Sequence, residues 1–259
     1  MQQYFGETKK GNLITLNEKD FNHIKNVMRM KPLEEVFVVL KNKRYLCSMN
    51  EDLKSVTIKE EIQTKMKRNE IVLYVPFLQD EKISLILQKG TELGVTEFII
   101  VDFEHSKYKL DEDKKQKKLE RWNKIIVEAS EQSYRNDIPK LEKFISVKDI
   151  KSVKGLNIVC SLDILNVKDI SQVVNRDSLC DKISIVFGPE GGISKSEEDT
   201  IVKKGFERVS LGKTVLRTET AGLYVVSIVK YLEGCVRWYN TTSPLCLSAR
   251  TTTKAATKR

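Results

Sequence analysis

From residue 71 to about residue 235 the chain alternates apolar, strand-like runs with amphipathic helical stretches, and this alternation constrains its fold more than any other feature. Phe98-Ile99-Ile100-Val101 and Ile183-Ser184-Ile185-Val186-Phe187 are almost continuously apolar, and 71–77, Asn157-Ile158-Val159-Cys160 and 206–211 are further strand candidates. Between them, 80–93 sets Ile83, Ile86, Leu87, Gly90 and Leu93 on one helical face, and 113–132 does the same with Leu119, Trp122, Ile125, Ile126 and Ala129. Helices are also predicted from near Ser194 and near Thr218. A strand that is apolar on both sides must be covered on both faces, so the expectation is an α/β fold built on a parallel sheet.

Residues 1–68 read differently. Ile14 sits in one short apolar run, Val36-Phe37-Val38-Val39-Leu40 forms another, and Arg44-Tyr45-Leu46-Cys47 and Ser55-Val56-Thr57-Ile58 follow. One helix is predicted over 18–30, with Phe21, Ile24, Val27 and Met28 inward. Several short strands and a single helix predict a small β-barrel. It carries fourteen basic residues against nine acidic ones, a balance compatible with an RNA partner. The polar stretch Thr64-Lys65-Met66-Lys67-Arg68-Asn69 is the expected linker, dividing the chain into modules at 1–70 and 71–235. From Val236 onward the sequence is Thr-rich, with five basic residues and no acidic one, so it holds five of the formal +9 charges. Residues 236–259 read as a disordered or extraneous tail, with a native basic arm for nucleic acid as the alternative.

Several classes are excluded. No apolar run approaches the ~18 residues of a membrane span. Met1-Gln2-Gln3-Tyr4-Phe5-Gly6 lacks the regions of a secretory signal. Five scattered cysteines without a Cys-x-x-Cys pair argue against a disulfide framework or a structural zinc site, so a cytoplasmic protein without membrane or metal is expected. With only His23 and His105, a Ser–His–Asp triad or a histidine-rich metal site has little material.

Two segments carry candidate chemistry, each at the end of a predicted strand. Phe187-Gly188-Pro189-Glu190-Gly191-Gly192-Ile193-Ser194 combines glycines that admit close approach of a ligand with a helix-capping Ser194, which Glu197 would complete as a capping box. Ligands of α/β proteins bind at this carboxyl edge. A plain turn joining strand to helix explains the composition equally well. The second segment, Leu211-Gly212-Lys213-Thr214-Val215-Leu216-Arg217-Thr218-Glu219-Thr220-Ala221-Gly222, tempts a phosphate-loop reading through Gly212-Lys213-Thr214. That motif needs a glycine at position 207, which is Glu, and Gly-x-Gly-x-x-Gly is absent as well.

Gly188-Pro189-Glu190-Gly191-Gly192, followed about twenty residues later by Leu211-Gly212 and Leu216-Arg217-Thr218-Glu219-Thr220-Ala221, resembles the RsmE family of SPOUT-superfamily methyltransferases. That family makes N3-methyluridine in bacterial 16S ribosomal RNA. Gln88-Lys89-Gly90-Thr91-Glu92-Leu93-Gly94-Val95, Glu128-Ala129-Ser130-Glu131-Gln132-Ser133 and Asn26-Val27-Met28-Arg29 also look like family segments, and the resemblance spans residues 1 to about 235. It differs at His105, where members often have arginine, and at Tyr134, where they have a small residue. The resemblance implies an N-terminal PUA-like barrel and a SPOUT-type parallel sheet whose C-terminal part threads a trefoil knot. It also implies bound S-adenosylmethionine and an obligate homodimer acting on 16S ribosomal RNA or the small subunit.

Carried onto this chain, the resemblance assigns Ser161, Leu162, Phe187, Gly188, Pro189, Glu190, Gly191, Gly192, Leu211, Gly212, Val215, Leu216, Thr218, Thr220 and Ala221 to the cofactor. Arg217 is the candidate for stabilising the anion at uridine N3, with a structural salt bridge to Glu219 or to the partner subunit as the competing explanation. Glu190 is a second candidate, for orienting or deprotonating the base. Lys25, Arg29, Lys107 and Arg135 are the expected RNA contacts, against a solvated-face reading for Lys25 and Arg29. The competing functions are methylation of another RNA within the superfamily and a PUA-like RNA binder that has lost catalysis.

Overall fold

The structure is a computed structural model that describes residues 1–63, 69–108, 112–163 and 167–233. The expected tail and most of the expected linker fall outside the described residues.

Strands β1 (Gln3–Lys10), β2 (Leu13–Leu16), β3 (Glu35–Leu40), β4 (Lys43–Met49) and β5 (Ser55–Ile62) close into a barrel in the order β1-β2-β5-β4-β3. All pairs are antiparallel except β1–β3, which closes the barrel in parallel. Tyr4, Ile14, Ile24, Val36, Val38, Cys47, Met49 and Val56 fill it. The single helix expected over 18–30 is corrected. A five-residue helix α1 (Glu18–Asn22) is capped by the Asn17 side chain and runs directly into a π-helical turn, His23–Met28. The wider turn breaks the 3.6-residue period, so Ile24 is buried while Val27 and Met28 face solvent. It ends at Arg29, whose φ of 51° reverses the chain.

The second module is a seven-stranded sheet. It contains β6 (Glu70–Pro76), β7 (Glu97–Asp102), β8 (Lys140–Ser146), β9 (Leu156–Cys160), β10 (Lys168–Asp169), β11 (Lys182–Val186) and β12 (Glu207–Ser210). The order is β10-β12-β9-β11-β6-β7-β8 and every pair is parallel. Its helices are α2 (Asp80–Glu92), α3 (Glu112–Gln132), α4 (Ile170–Val173), α5 (Lys195–Lys203) and α6 (Thr218–Glu233). Successive strand residues alternate between two cores, as the two-residue period of a strand requires. Ile71, Leu73, Phe98, Ile100, Ile158, Ile183, Ile185 and Phe187 enter one core, while Tyr74, Ile99, Val101, Val159 and Val186 enter the other. This is why the strands read as unbroken apolar runs. β8, β10 and α4 were not anticipated: β8 (Lys-Leu-Glu-Lys-Phe-Ile-Ser) is an edge strand with mixed polarity, and the other two are very short.

The two modules meet along α3 and the turn after it. Gln3 Nε2 donates to the Arg135 carbonyl at 2.7 Å, Arg44 donates to the Tyr134 carbonyl, and the Tyr134 ring meets Phe37 edge-on. Tyr134 has φ of 55°, a left-handed conformation that is uncommon for a residue other than glycine. Arg135 is corrected from the expected RNA contacts. It is 2% exposed, and Nη1 donates to the carbonyls of Thr91 (2.8 Å) and Val95 (2.7 Å) while Nη2 pairs with Asp137. The Thr91 carbonyl lies in the last turn of α2, where a cation is favoured, and Val95 follows in the turn after it.

Titratable groups gather at the same joint. Burial pushes the Asp20 carboxyl up to about 6, and Glu131 rises to about 8, first from burial and then from the Asp20 charge. Lys19, which reaches Glu128 at 2.7 Å, opposes both shifts. Both acids bind a proton more tightly folded than unfolded. Their contribution is therefore complete below about pH 4 and is lost as pH rises through about 6 and then about 8. Glu131→Gln keeps an acceptor there without the ionisation. It is expected to flatten this fall and to raise stability at pH 8.5 by roughly 1–3 kcal/mol, read from urea unfolding across pH 4–9. An unchanged pH profile in the variant excludes Glu131 as the source.

Candidate cofactor and RNA site

β12, β9 and β11 are adjacent and parallel, so the segments leaving them emerge side by side at one edge of the sheet. Ser161 and Leu162 follow β9, Phe187–Gly192 follows β11, and the segment from Leu211 to Arg217 follows β12 and leads into α6.

After β11, Gly192 N–H donates to the Pro189 carbonyl at 2.9 Å and closes a tight turn, with Gly192 at φ 76°. α5 then starts as expected, with Ser194 as N-cap and Glu197 returning the reciprocal bond of the capping box. Gly191 lies against the loop after β7: a Cβ there would come within 2.9 Å of His105 Cβ. His105 Nδ1 is 3.1 Å from the Gly191 carbonyl, and because a carbonyl only accepts, Nδ1 carries the proton. Leu162 reaches toward this turn, 3.6 Å from where a Gly192 Cβ would stand. The Phe187 side chain is fully buried under Gly222, where an added Cβ would sit 2.6 Å from the ring, so only its backbone can serve a ligand.

After β12, Gly212 has φ of 121°, and an added Cβ would meet no protein atom within 4 Å. Val215 is 83% exposed, Leu216 is half-buried, Arg217 is exposed and Thr218 is buried at the start of α6. The three segments thus present backbone groups around one strip of the sheet edge, with Val215 and Leu162 as exposed apolar side chains.

Charges converge at the mouth of this strip. Glu190 accepts from Lys82, which stands in the first turn of α2, and lies 3.5 Å from Lys107 Nζ. The Lys82 bond holds the Glu190 carboxyl below its ordinary range. Glu219 Oε2 lies 3.8 Å from the same Lys82. The competing explanation for Arg217 is not met within the chain: among the described residues it forms no ion pair, and Glu219 faces Lys82 instead. Lys107 is therefore placed at the site, whereas Lys25 and Arg29 are exposed on the barrel surface. Sequence reasoning missed Lys82, which has no local signal, and named Glu219 only as a competing partner for Arg217.

The chain thus joins a small closed barrel to a parallel sheet with glycine-bearing loops at its carboxyl edge, an architecture whose class the comparisons with known proteins define. An RNA methyltransferase domain model matches residues 65–230 and an RNA methyltransferase PUA domain model matches 16–61. The chain is 35% identical over 233 residues to ribosomal RNA small subunit methyltransferase E of Aquifex aeolicus, covering 88% of this chain and 99% of that one. It is 32% identical to the protein of the same name in Bacillus subtilis, covering 92% and 99%. Among solved structures it resembles that of ribosomal RNA small subunit methyltransferase E from Neisseria gonorrhoeae bound to S-adenosyl methionine. There the TM-score is 0.76 at 26% identity, over 90% of this chain and 98% of that one. A Legionella pneumophila methyltransferase with its bound cofactor gives 0.78 at 27% identity, over 89% and 96%. The chain belongs to the ribosomal RNA small subunit methyltransferase E (RsmE) family.

Proposed function

We propose that this chain uses S-adenosylmethionine to make N3-methyluridine in 16S ribosomal RNA, within free RNA or the small subunit, in the cytoplasm. The observation that carries the reading is the strip of backbone formed by Ser161–Leu162, Gly188–Gly192 and the Leu211–Ala221 segment at the carboxyl edge. A neutral purine needs backbone donors and acceptors at close range, and Gly192 and Gly212 adopt backbone angles that permit such an approach. The methionine carboxylate suits the N–H groups opening α6. The cofactor supplies an already activated methyl group, so the chain's part is to align the acceptor and favour its anion. Arg217 is assigned to the developing negative charge on the uracil edge. Glu190, held ionised by Lys82, is a poor proton acceptor and is assigned to orientation. Lys107 at the site, with Lys25 and Arg29 on the barrel, is assigned to phosphate.

The same reading includes the trefoil knot, the dimer and a division at 1–70, 71–235 and 236–259. The knot is supported by the path of the chain. β11 inserts between β9 and β6, the chain crosses to β12 beyond β9, and α6 then returns to pack on α2, β6 and β11. The dimer is supported by α6, a largely apolar helix that leaves Tyr224 and Tyr231 41% and 75% exposed, with Leu85 of α2 also exposed. Light scattering at micromolar concentration is expected to give twice the chain mass, and a monomer mass excludes the dimer. Calorimetry with S-adenosylmethionine, followed by nucleoside mapping of methylated 16S ribosomal RNA, tests the function. Folded protein that binds no cofactor points to the non-catalytic RNA binder, and a different modified nucleoside points to another RNA substrate.

A further inference from the structure

Lys82 is placed at the site, yet the functional assignment gives it no task. It stands in the first turn of α2, just past the carboxyl end of β6, so it belongs to none of the three cofactor segments. Its Nζ donates to Glu190 Oε1, in the turn after β11, and lies 3.8 Å from Glu219 Oε2, in the first turn of α6. The Glu219 side chain is only 13% exposed, and Oε2 makes no hydrogen bond among the described residues. A carboxylate held this far from water requires a cation. Glu190 is 29% exposed and takes a second, longer contact from Lys107, so the two carboxylates are not equivalent: Glu190 has two cations at hand, whereas the one ion pair that Glu219 makes among the described residues is with Lys82. Arg217 is close enough to Lys82 for their charges to oppose, which favours drawing the ammonium toward the carboxylates.

We propose that Lys82 is a positioning residue: one ammonium shared by Glu190 and Glu219 sets the spacing between the turn after β11 and the start of α6, and so holds these two of the three cofactor segments in their binding arrangement. The inference rests on the cofactor assignment made above. The backbone strip is built from chain segments that leave different strands, and an ion pair anchored on a third element, α2, gives them a common reference. Without Lys82, Glu219 would turn outward to reach water and take the first turn of α6 with it.

The test is calorimetric titration of the full chain with S-adenosylmethionine, alongside thermal melting of each variant. Lys82→Met is expected to weaken binding about 10- to 100-fold, and Lys82→Arg to recover it to within about threefold of wild type. In a Glu190→Gln/Glu219→Gln background, Lys82→Met should cost less than about twofold, because no carboxylate remains to be gathered. An equal loss in both backgrounds makes Lys82 a direct ligand and overturns the proposal, as does unchanged affinity in Lys82→Met. A loss of affinity matched by a loss of fold reduces the residue to a structural one and overturns it too. Wild-type protein that binds no S-adenosylmethionine overturns the functional reading, and this inference with it.

Discussion

Replacing Arg217 by alanine is expected to lower the single-turnover rate of methyl transfer about 10²–10³-fold, while affinity for S-adenosylmethionine stays within a few-fold of wild type. The residue sits between the β12 loop and α6, exposed and without an ion pair among the described residues, while the neighbouring Glu219 faces Lys82. Its guanidinium is therefore not consumed by the intrachain salt bridge that would have explained it structurally. N3 of uridine is a weak acid, and a preorganised cation beside the uracil oxygens favours its anion where water is excluded. Arg217→Lys should rescue only part of the rate, because it keeps the charge but loses the planar fork. Rates are measured at saturating RNA and cofactor, beside separate titrations of each. A fall in rate fully accounted for by weaker binding or by loss of the dimer assigns Arg217 to structure.

The second large effect is expected at the loop glycines. Gly212→Val and Gly192→Val should each weaken S-adenosylmethionine binding by at least about 100-fold, with melting temperature lowered by only a few degrees. The reason is conformational. Gly212 has φ of 121° and Gly192 of 76°, regions that a β-branched residue occupies only at a cost of roughly 1–3 kcal/mol. The cheaper response is for the loop to rotate to negative φ, which re-aims the adjacent N–H and carbonyl groups. Around Gly212 no protein atom lies within 4 Å of an added Cβ, and around Gly192 the nearest is Leu162 at 3.6 Å, so the core is barely disturbed. Gly222→Val is the contrasting control, since its Cβ would stand 2.6 Å from the Phe187 ring and the variant should lose stability outright. Normal cofactor titration by either loop variant would remove that loop from the site.

Much of this molecule can be read locally. The strands of the sheet are apolar on both sides because both faces are covered, so Ile71, Phe98 and Ile183 announce β6, β7 and β11 without reference to their partners. Ser194 and Glu197 announce the start of α5 because a capping box is closed within four residues. The glycines of the loops after β11 and β12 mark positions where the backbone must turn, and two of them have positive φ.

Other features are set by contacts between residues far apart in the chain. The run 18–30 has a fair helical period, yet barrel closure around Ile24 favours a π-helical turn that leaves Val27 and Met28 outside. Arg135 reads as a surface cation, but its guanidinium satisfies two carbonyls, one in the last turn of α2 and one just beyond it, 44 and 40 residues away. Lys82 is unremarkable in sequence, and its pairing with Glu219 arises only when α6 returns across the sheet to pack on α2.

By itself the sequence determined β6, β7, β9, β11 and β12, the helices α2, α3, α5 and α6, the cap of α5, and which two loops carry glycines fit for a ligand, because each depends on neighbours within about one helical turn. The tertiary structure alone decided that β11 inserts between β9 and β6, and hence which loops stand together and which charges meet at Lys82. Buried parallel strands share one hydrophobic pattern whatever their order, so the order is fixed only when helices, crossovers and side-chain volumes are packed against one another.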